Sequence, residues 1–257
     1  MNRLSIVAAL CCAAALSACE KNAVTEIDGP EAGSRIKFFN FGVNAPGVNF
    51  YAGETKMTAI SSTTGIESNN GVVYGSVGSG GFYGGIEPGG HTLTGRIAAA
   101  VDKNLVIATQ ATTIEDGKSY SFYMSGFYNT VLKTSDGFVV EDNFAPDIDF
   151  AVATVRFVHA SSNALPLQLI ARAAAPATLV DTVGGVIAYK GAGVFETVVP
   201  GVYNLALRYA GAGTDAVTRT AVSFVAGRVY TVSLRGDITV VSTTATNRPF
   251  LDVTANR

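Results

Sequence analysis

The chain has 257 residues, 18 lysines and arginines against 20 aspartates and glutamates, 28 glycines and no tryptophan. So small a net charge, spread along the chain, excludes a nucleic-acid surface and a polybasic membrane surface. The length suffices for one large or two ordinary domains with a real core, and the many Val, Thr, Tyr, Phe and Gly residues point to strands joined by tight turns.

The first 18 residues read as a lipoprotein signal peptide. Arg3 supplies a positive start, and the apolar run 4–16 is too short to span a bilayer as a stable helix. Leu16-Ser17-Ala18-Cys19 then resembles a bacterial lipobox, whose cysteine is lipidated and becomes the new N-terminus. On this reading Cys11 and Cys12 are discarded and Cys19 is the only cysteine left. That excludes an intramolecular disulfide, a cysteine-based zinc site and a cysteine nucleophile in the folded part. No later run has the length and apolarity of a transmembrane helix, so attachment to the membrane would come from the lipid. An N-acyl diacylglyceryl cysteine, with palmitate-type chains, holds firmly where a single chain holds marginally. Glu20, not Asp, follows Cys19; in a Gram-negative cell, resemblance to known lipoprotein sorting rules implies the outer membrane.

Residues 19–33 lack periodicity and contain Pro30, Gly29 and Gly33, so they read as a flexible tether holding the rest about 20 Å from the lipid. The remainder contains an internal repeat in three blocks. Residues 36–40 match 155–159, residues 86–98 match 198–210, and residues 116–126 match 226–236, with offsets of 119, 112 and 110. Order is kept while the offset falls, which marks two copies of one domain, 34–144 and 151–257, the first made longer by its 61–85 region.

Within each block apolar and polar residues alternate, as a strand with one buried face requires. Tyr203, Leu205, Leu207 and Tyr209 share a face in the second copy, and His91, Leu93, Gly95 and Ile97 take the equivalent inward face in the first. Tyr120, Phe122 and Met124 pair in the same way with Tyr230, Val232 and Leu234. Pro88-Gly89 and Pro200-Gly201 suit a turn before a strand, Pro fixing φ and Gly accepting a positive φ, and Gly117 and Gly227 do likewise. The first copy predicts strands near 36–41, 48–51, 72–77, 91–98, 105–114, 119–125 and 138–140, with counterparts to 250–253. Many short strands, regular turns and no sustained helical period predict an all-β chain of two tandem immunoglobulin-like or transthyretin-like β-sandwiches. The Pro-Gly turn followed by Tyr203 resembles the corner of fibronectin-type modules.

Val155-Arg156-Phe157-Val158-His159-Ala160-Ser161, the block 198–205 and the block 226–232 resemble the domain of unknown function DUF4397, found in exported bacterial proteins and often in tandem. The resemblance covers most of 35–142 and 154–253; in the first copy Asn40 stands where the second has His159. It implies an exported β-sandwich and no particular chemistry.

Candidate chemistry is sparse. His91 and His159 lie in different blocks of different copies. The first is expected to pack at a strand entrance, the second to hydrogen-bond the loop that follows it. No Gly-x-Ser-x-Gly elbow, phosphate-binding loop or His-Glu-x-x-His appears. The glycine-rich run 77–85 reads as a loop with an edge strand, or as a contact loop presenting Phe82 and Tyr83. Glu141, Asp142, Asp147 and Asp149 flank the junction of the copies, where they read either as a solvated connection or as oxygen ligands for Ca²⁺, without an EF-hand register. No other cofactor is expected.

The expected function is that of a non-enzymatic binding, adhesion or structural module, lipid-anchored in the cell envelope, whose partner is the membrane together with an envelope protein or glycan. Two alternatives stay open: an envelope hydrolase with a site between the copies using Asp147, Asp149 or His159, and an assembly factor lending a strand edge to a client.

Overall fold

Residues 33–58, 70–145, 147–176 and 178–257 are described by the structure, a computed structural model, and they belong to one compact unit, Ala32–Arg257. Leu16, Ser17, Ala18 and Cys19, with the signal peptide, lie outside the described residues. Among the described residues no helix is long and apolar enough to cross a membrane.

Alternation decides what each strand meets. In β1 (Ser34–Asn40), Ile36 and Phe38 enter one core while Lys37 and Phe39 take the other face. The first copy continues with β2 (Val48–Ala52), β3 (Thr55–Lys56), β4 (Ser76–Val77), β5 (Gly84–Ile86), β6 (Gly89–Ile97), β7 (Val106–Ile114), β8 (Ser119–Asn129) and β9 (Thr134–Glu141). One sheet has the order β4-β1-β8-β9, with β5 also on β1; the other is β3-β2-β6-β7. Their inner faces enclose Ile36, Phe38, Phe50, Leu93, Ile107 and Phe122, with the Phe38 and Phe50 rings stacked 5.2 Å apart.

The second copy repeats this plan: β10 (Ala153–His159), β11 (Leu167–Ala173), β12 (Val180–Ile187), β13 (Glu196–Val198), β14 (Gly201–Tyr209), β15 (Val217–Phe224), β16 (Val229–Arg235) and β17 (Phe250–Ala255) form the sheets β13-β10-β16-β17 and β12-β11-β14-β15. In each copy the first strand runs parallel to the penultimate one, β1 with β8 and β10 with β16; the other pairs are antiparallel. A parallel pair needs a long crossover, and here the whole opposite sheet supplies it. The fold is therefore an all-β sandwich built twice.

Equivalent local devices hold both copies. The Tyr120 and Tyr230 hydroxyls accept the backbone N–H groups of Glu115 and Val225, five residues upstream in each case. Tyr203 donates to the Val199 carbonyl at 2.6 Å, tying the strand entrance to its turn. Gly117 and Gly227 both adopt a positive φ, 74° and 73°, as does Gly89, whereas Gly201 does not.

Three sequence expectations are modified. The segment 72–77 is not a continuous strand: Val72 makes a single bridge to Val48, and pairing resumes only in β4. The glycine-rich loop then splits this edge, β4 pairing with Phe39–Asn40 and β5 with Ser34–Ile36. His91, expected inward with Leu93, Gly95 and Ile97, sits half-buried at the exposed start of β6, its Nε2 2.7 Å from the Glu87 carbonyl.

A third apolar cluster lies outside both sandwich cores. Phe39, Phe41, Tyr123 and Phe138 of the first copy bury against Val158 and Ala160 of the second. Tyr123 stacks on Phe39 at 4.5 Å and on Phe138 at 5.1 Å. The outer face of one sheet is thus the packing partner of its counterpart in the other copy.

Candidate functional site

Beside this aromatic cluster the same two faces bury charge. Lys37 on β1 and Arg156 on β10 occupy the same repeat position, and both are almost wholly excluded from solvent. Each reaches the last strand of the opposite copy. Arg156 Nη1 donates to the Glu141 carbonyl at 2.8 Å and Nη2 to the Asp142 carboxylate; Lys37 Nζ donates to the Ala255 carbonyl at 2.5 Å and to Asn256 Oδ1 at 3.3 Å. Tyr120 pairs with Glu141 where its counterpart Tyr230 pairs with Ala255, so these acceptors are equivalent positions too. Even the rings match: Lys37 lies over Tyr83 at 4.3 Å and Arg156 over Phe195 at 4.5 Å, residues that share the 112 offset.

The exchange is reciprocal in geometry but not in charge. Arg156 meets a carboxylate, while Lys37 meets a carbonyl and a neutral amide. Asp142, also buried, accepts Tyr83 OH at 2.6 Å and Ser121 Oγ at 2.7 Å on its other oxygen. On the second copy's side Thr231 takes the role of Ser121, accepting from Asn256 Nδ2 at 2.7 Å and from Arg156 Nε at 3.1 Å.

Burial lowers Lys37 to a pKa of about 8, an effect opposed by Asp142 and reinforced by the positive charges of Arg156 and Arg35. It still leaves the amine mostly protonated at neutral pH. Burial, together with the charge and hydrogen bond of Asp142, pushes the Tyr83 phenol far up, and burial pushes Tyr123 up to about 12.

Two clefts open on this network. The larger, about 430 Å³, has Lys37, Tyr83 and Asn256 among its lining residues, with Phe82, Arg228 and Arg257 beside them. The smaller, about 230 Å³, lies along Arg35, Glu141, Asp142 and Phe144.

The contact-loop candidates therefore part company. Tyr83 turns inward to Asp142, while Phe82 is 77% exposed at the larger cleft. Ser79 and Gly80, both at positive φ, form the turn that presents it.

The four carboxylates proposed for calcium are not brought together. Asp142 is committed to Arg156, Tyr83 and Ser121; Glu141 pairs with Lys118 at 3.1 Å; Asp149 accepts the Ala151 N–H at 2.8 Å; Asp147 shares no site with them. Among the described residues no group of three or more His, Cys, Asp and Glu side chains is placed to hold a metal ion. A buried carboxylate that already meets a guanidinium and two hydroxyls, with no other acid placed beside it, does not supply the six or more oxygens that calcium takes.

His159 is fully buried and serves its loop, Nε2 donating to the Leu165 carbonyl at 3.3 Å and Nδ1 accepting the Ser161 N–H at 3.3 Å. Burial lowers its pKa. Asn40 does the same in the first copy, donating to the Pro46 carbonyl at 3.2 Å and accepting the Gly42 N–H at 3.3 Å, each partner at the same offset of 119. Both imidazoles thus meet backbone groups and not a hydroxyl nucleophile.

Lys37 and Arg156 are not among the candidates that motif and spacing single out. The available signal was a cation at the same repeat position inside two otherwise apolar strands.

With this geometry the chain is a tandem β-sandwich protein whose copies share a buried polar junction. Compared with known proteins, it matches no family model and no protein of curated function.

Proposed function

We propose that the protein is a non-enzymatic envelope module of the DUF4397 type, held at the membrane by lipidated Cys19 and presenting two sandwiches as one rigid body for binding. One observation carries the reading: Lys37 and Arg156 each bond the last strand of the opposite copy, Arg156 also pairing with Asp142, and these bonds hold the copies together. Arg156 and Asp142 so used serve architecture, while Lys37, which also lines the larger cleft, is available with the exposed loops for ligand contact.

Outer-membrane placement through Glu20, an envelope glycan or protein as partner, and a tether over residues 19–33 belong to the same reading. The test has two arms. Cys19→Ala should move the protein from the membrane fraction to the soluble fraction, and retention that still requires detergent would overturn the anchor. The purified protein should bind isolated envelope material saturably, whereas turnover of a defined substrate would overturn the non-enzymatic assignment.

A further inference from the structure

The junction is built from equivalent positions, and its asymmetry in charge is informative. At one end Arg156 receives the carboxylate of Asp142; at the reciprocal position Lys37 receives the amide of Asn256. One buried carboxylate therefore serves two buried cations. Both ends open; the lysine end opens into the larger cleft, about 430 Å³, and among the described residues no aspartate or glutamate lines it. Arg228, on the rim, has no side-chain hydrogen bond or ion pair among the described residues and is exposed. Arg257 lines the cleft as well, and the rest of the wall is apolar or neutral, with Val77 and Val253 among its residues and the exposed ring of Phe82 beside them.

We propose that this cleft binds a sugar acid, its carboxylate between Lys37 and Arg228 and its ring against Phe82. The carboxylate supplies the negative charge that Asp142 supplies at the other end of the junction. A desolvated lysine gains most from an anion that shares its burial, and a guanidinium on the rim completes a charge-assisted pair. The volume suits one or two saccharide units, and a mostly apolar wall with a few convergent polar groups is the usual composition of a small-molecule site. A flat aromatic face offers the C–H face of a sugar ring a large contact at little entropic cost. The inference rests on the binding-module reading and adds its ligand class; it does not depend on the anchor.

The experiment is calorimetric titration of the purified full chain with glucuronate, with glucose as the neutral counterpart and with inorganic phosphate as charge alone. Glucuronate should bind saturably, with glucose and phosphate each weaker by about tenfold or more. Asn256→Asp installs the carboxylate that the other end already has; it should keep the fold, verified by far-UV circular dichroism, and lose about tenfold in glucuronate affinity. Arg228→Ala, at an exposed position, should lose about threefold to tenfold. Equal binding of glucose or phosphate, unchanged affinity in a folded Asn256→Asp, or no glucuronate binding up to about 10 mM would each overturn the proposal. Such a failure leaves the anchored module standing, since Cys19→Ala release is measured separately.

Discussion

Asp142→Asn removes the only carboxylate between two buried cations while nearly preserving the side chain's shape. Asp142 accepts from Arg156, Tyr83 and Ser121, and it is the nearest compensating charge for Lys37. Hydrogen bonds to a charged group contribute about 1.5–3 kcal/mol each, and removing one partner of a buried ion pair costs about 3–5 kcal/mol. The amide oxygen can still accept from both Tyr83 and Ser121, but the N–H₂ turns toward a guanidinium, so a loss near the lower end, about 3 kcal/mol, is expected. For a folded unit of this size that corresponds to a fall in Tm of about 6–12 °C. Urea unfolding at pH 7, followed by both fluorescence and circular dichroism, measures it. The partner variant Arg156→Met removes the cation left stranded by the first change. The double variant should therefore be less destabilised than the sum of the singles by about 1–3 kcal/mol. A loss below about 1 kcal/mol for Asp142→Asn, or strict additivity in the cycle, would refute the account of the junction as a coupled charge network.

Three further outcomes follow from particular groups. Lys37 titrates near 8 in the folded state and near its ordinary 10.5 when unfolded, so between about pH 8 and 10 the unfolded chain binds more protons. Stability attributable to Lys37 should rise with pH there, by at most about 1.4 kcal/mol per unit, and Lys37→Met should remove the rise in denaturant titrations across that window. His159 has its pKa lowered by burial, so acidification below its ordinary value of 6.5 protonates the unfolded chain before the native ring. Stability should fall as pH drops from 7 to 5, and His159→Asn, the solution used by Asn40, should flatten that slope at a cost of about 1–2 kcal/mol; an unchanged slope would contradict it. Gly236 has φ of 96°, and an added Cβ would lie 2.1 Å from the Arg248 carbonyl oxygen, whereas Gly117, φ 74°, has nothing within 4 Å. Gly236→Ala should therefore cost about 3 kcal/mol or more and Gly117→Ala only about 1–2 kcal/mol in thermal unfolding; the reverse order would refute the steric argument.

Alternation with period two, Pro-Gly and Gly turns, and three repeat blocks were enough to read two copies of one β-sandwich from the sequence. They also placed Tyr203, Leu205 and Leu207 in one core and Leu93, Ile97 and Phe122 in the other, and had His159 bonding its own loop. These features arise from interactions within a strand or across a single turn, where sequence spacing and spatial spacing coincide. The split edge around the glycine-rich run was less legible, because Ser76–Val77 and Gly84–Ile86 pair with different halves of the same strand. What covers the outer faces was not legible at all. By alternation Lys37 and Arg156 fall on the faces opposite the cores, where a cation normally meets water. They are buried because one copy docks on the other, and their acceptors come from a strand end in the opposite copy, 218 residues away in the case of Lys37 and Ala255. For the same reason Asp142, which in the sequence is one acid of a metal-like cluster, becomes the counter-ion of an arginine. The sequence by itself determined the sandwich and its duplication, since those rest on local periodicity. Only the tertiary structure decided which charges share a dielectric and which cation is left without a carboxylate, because those depend on how two like surfaces meet.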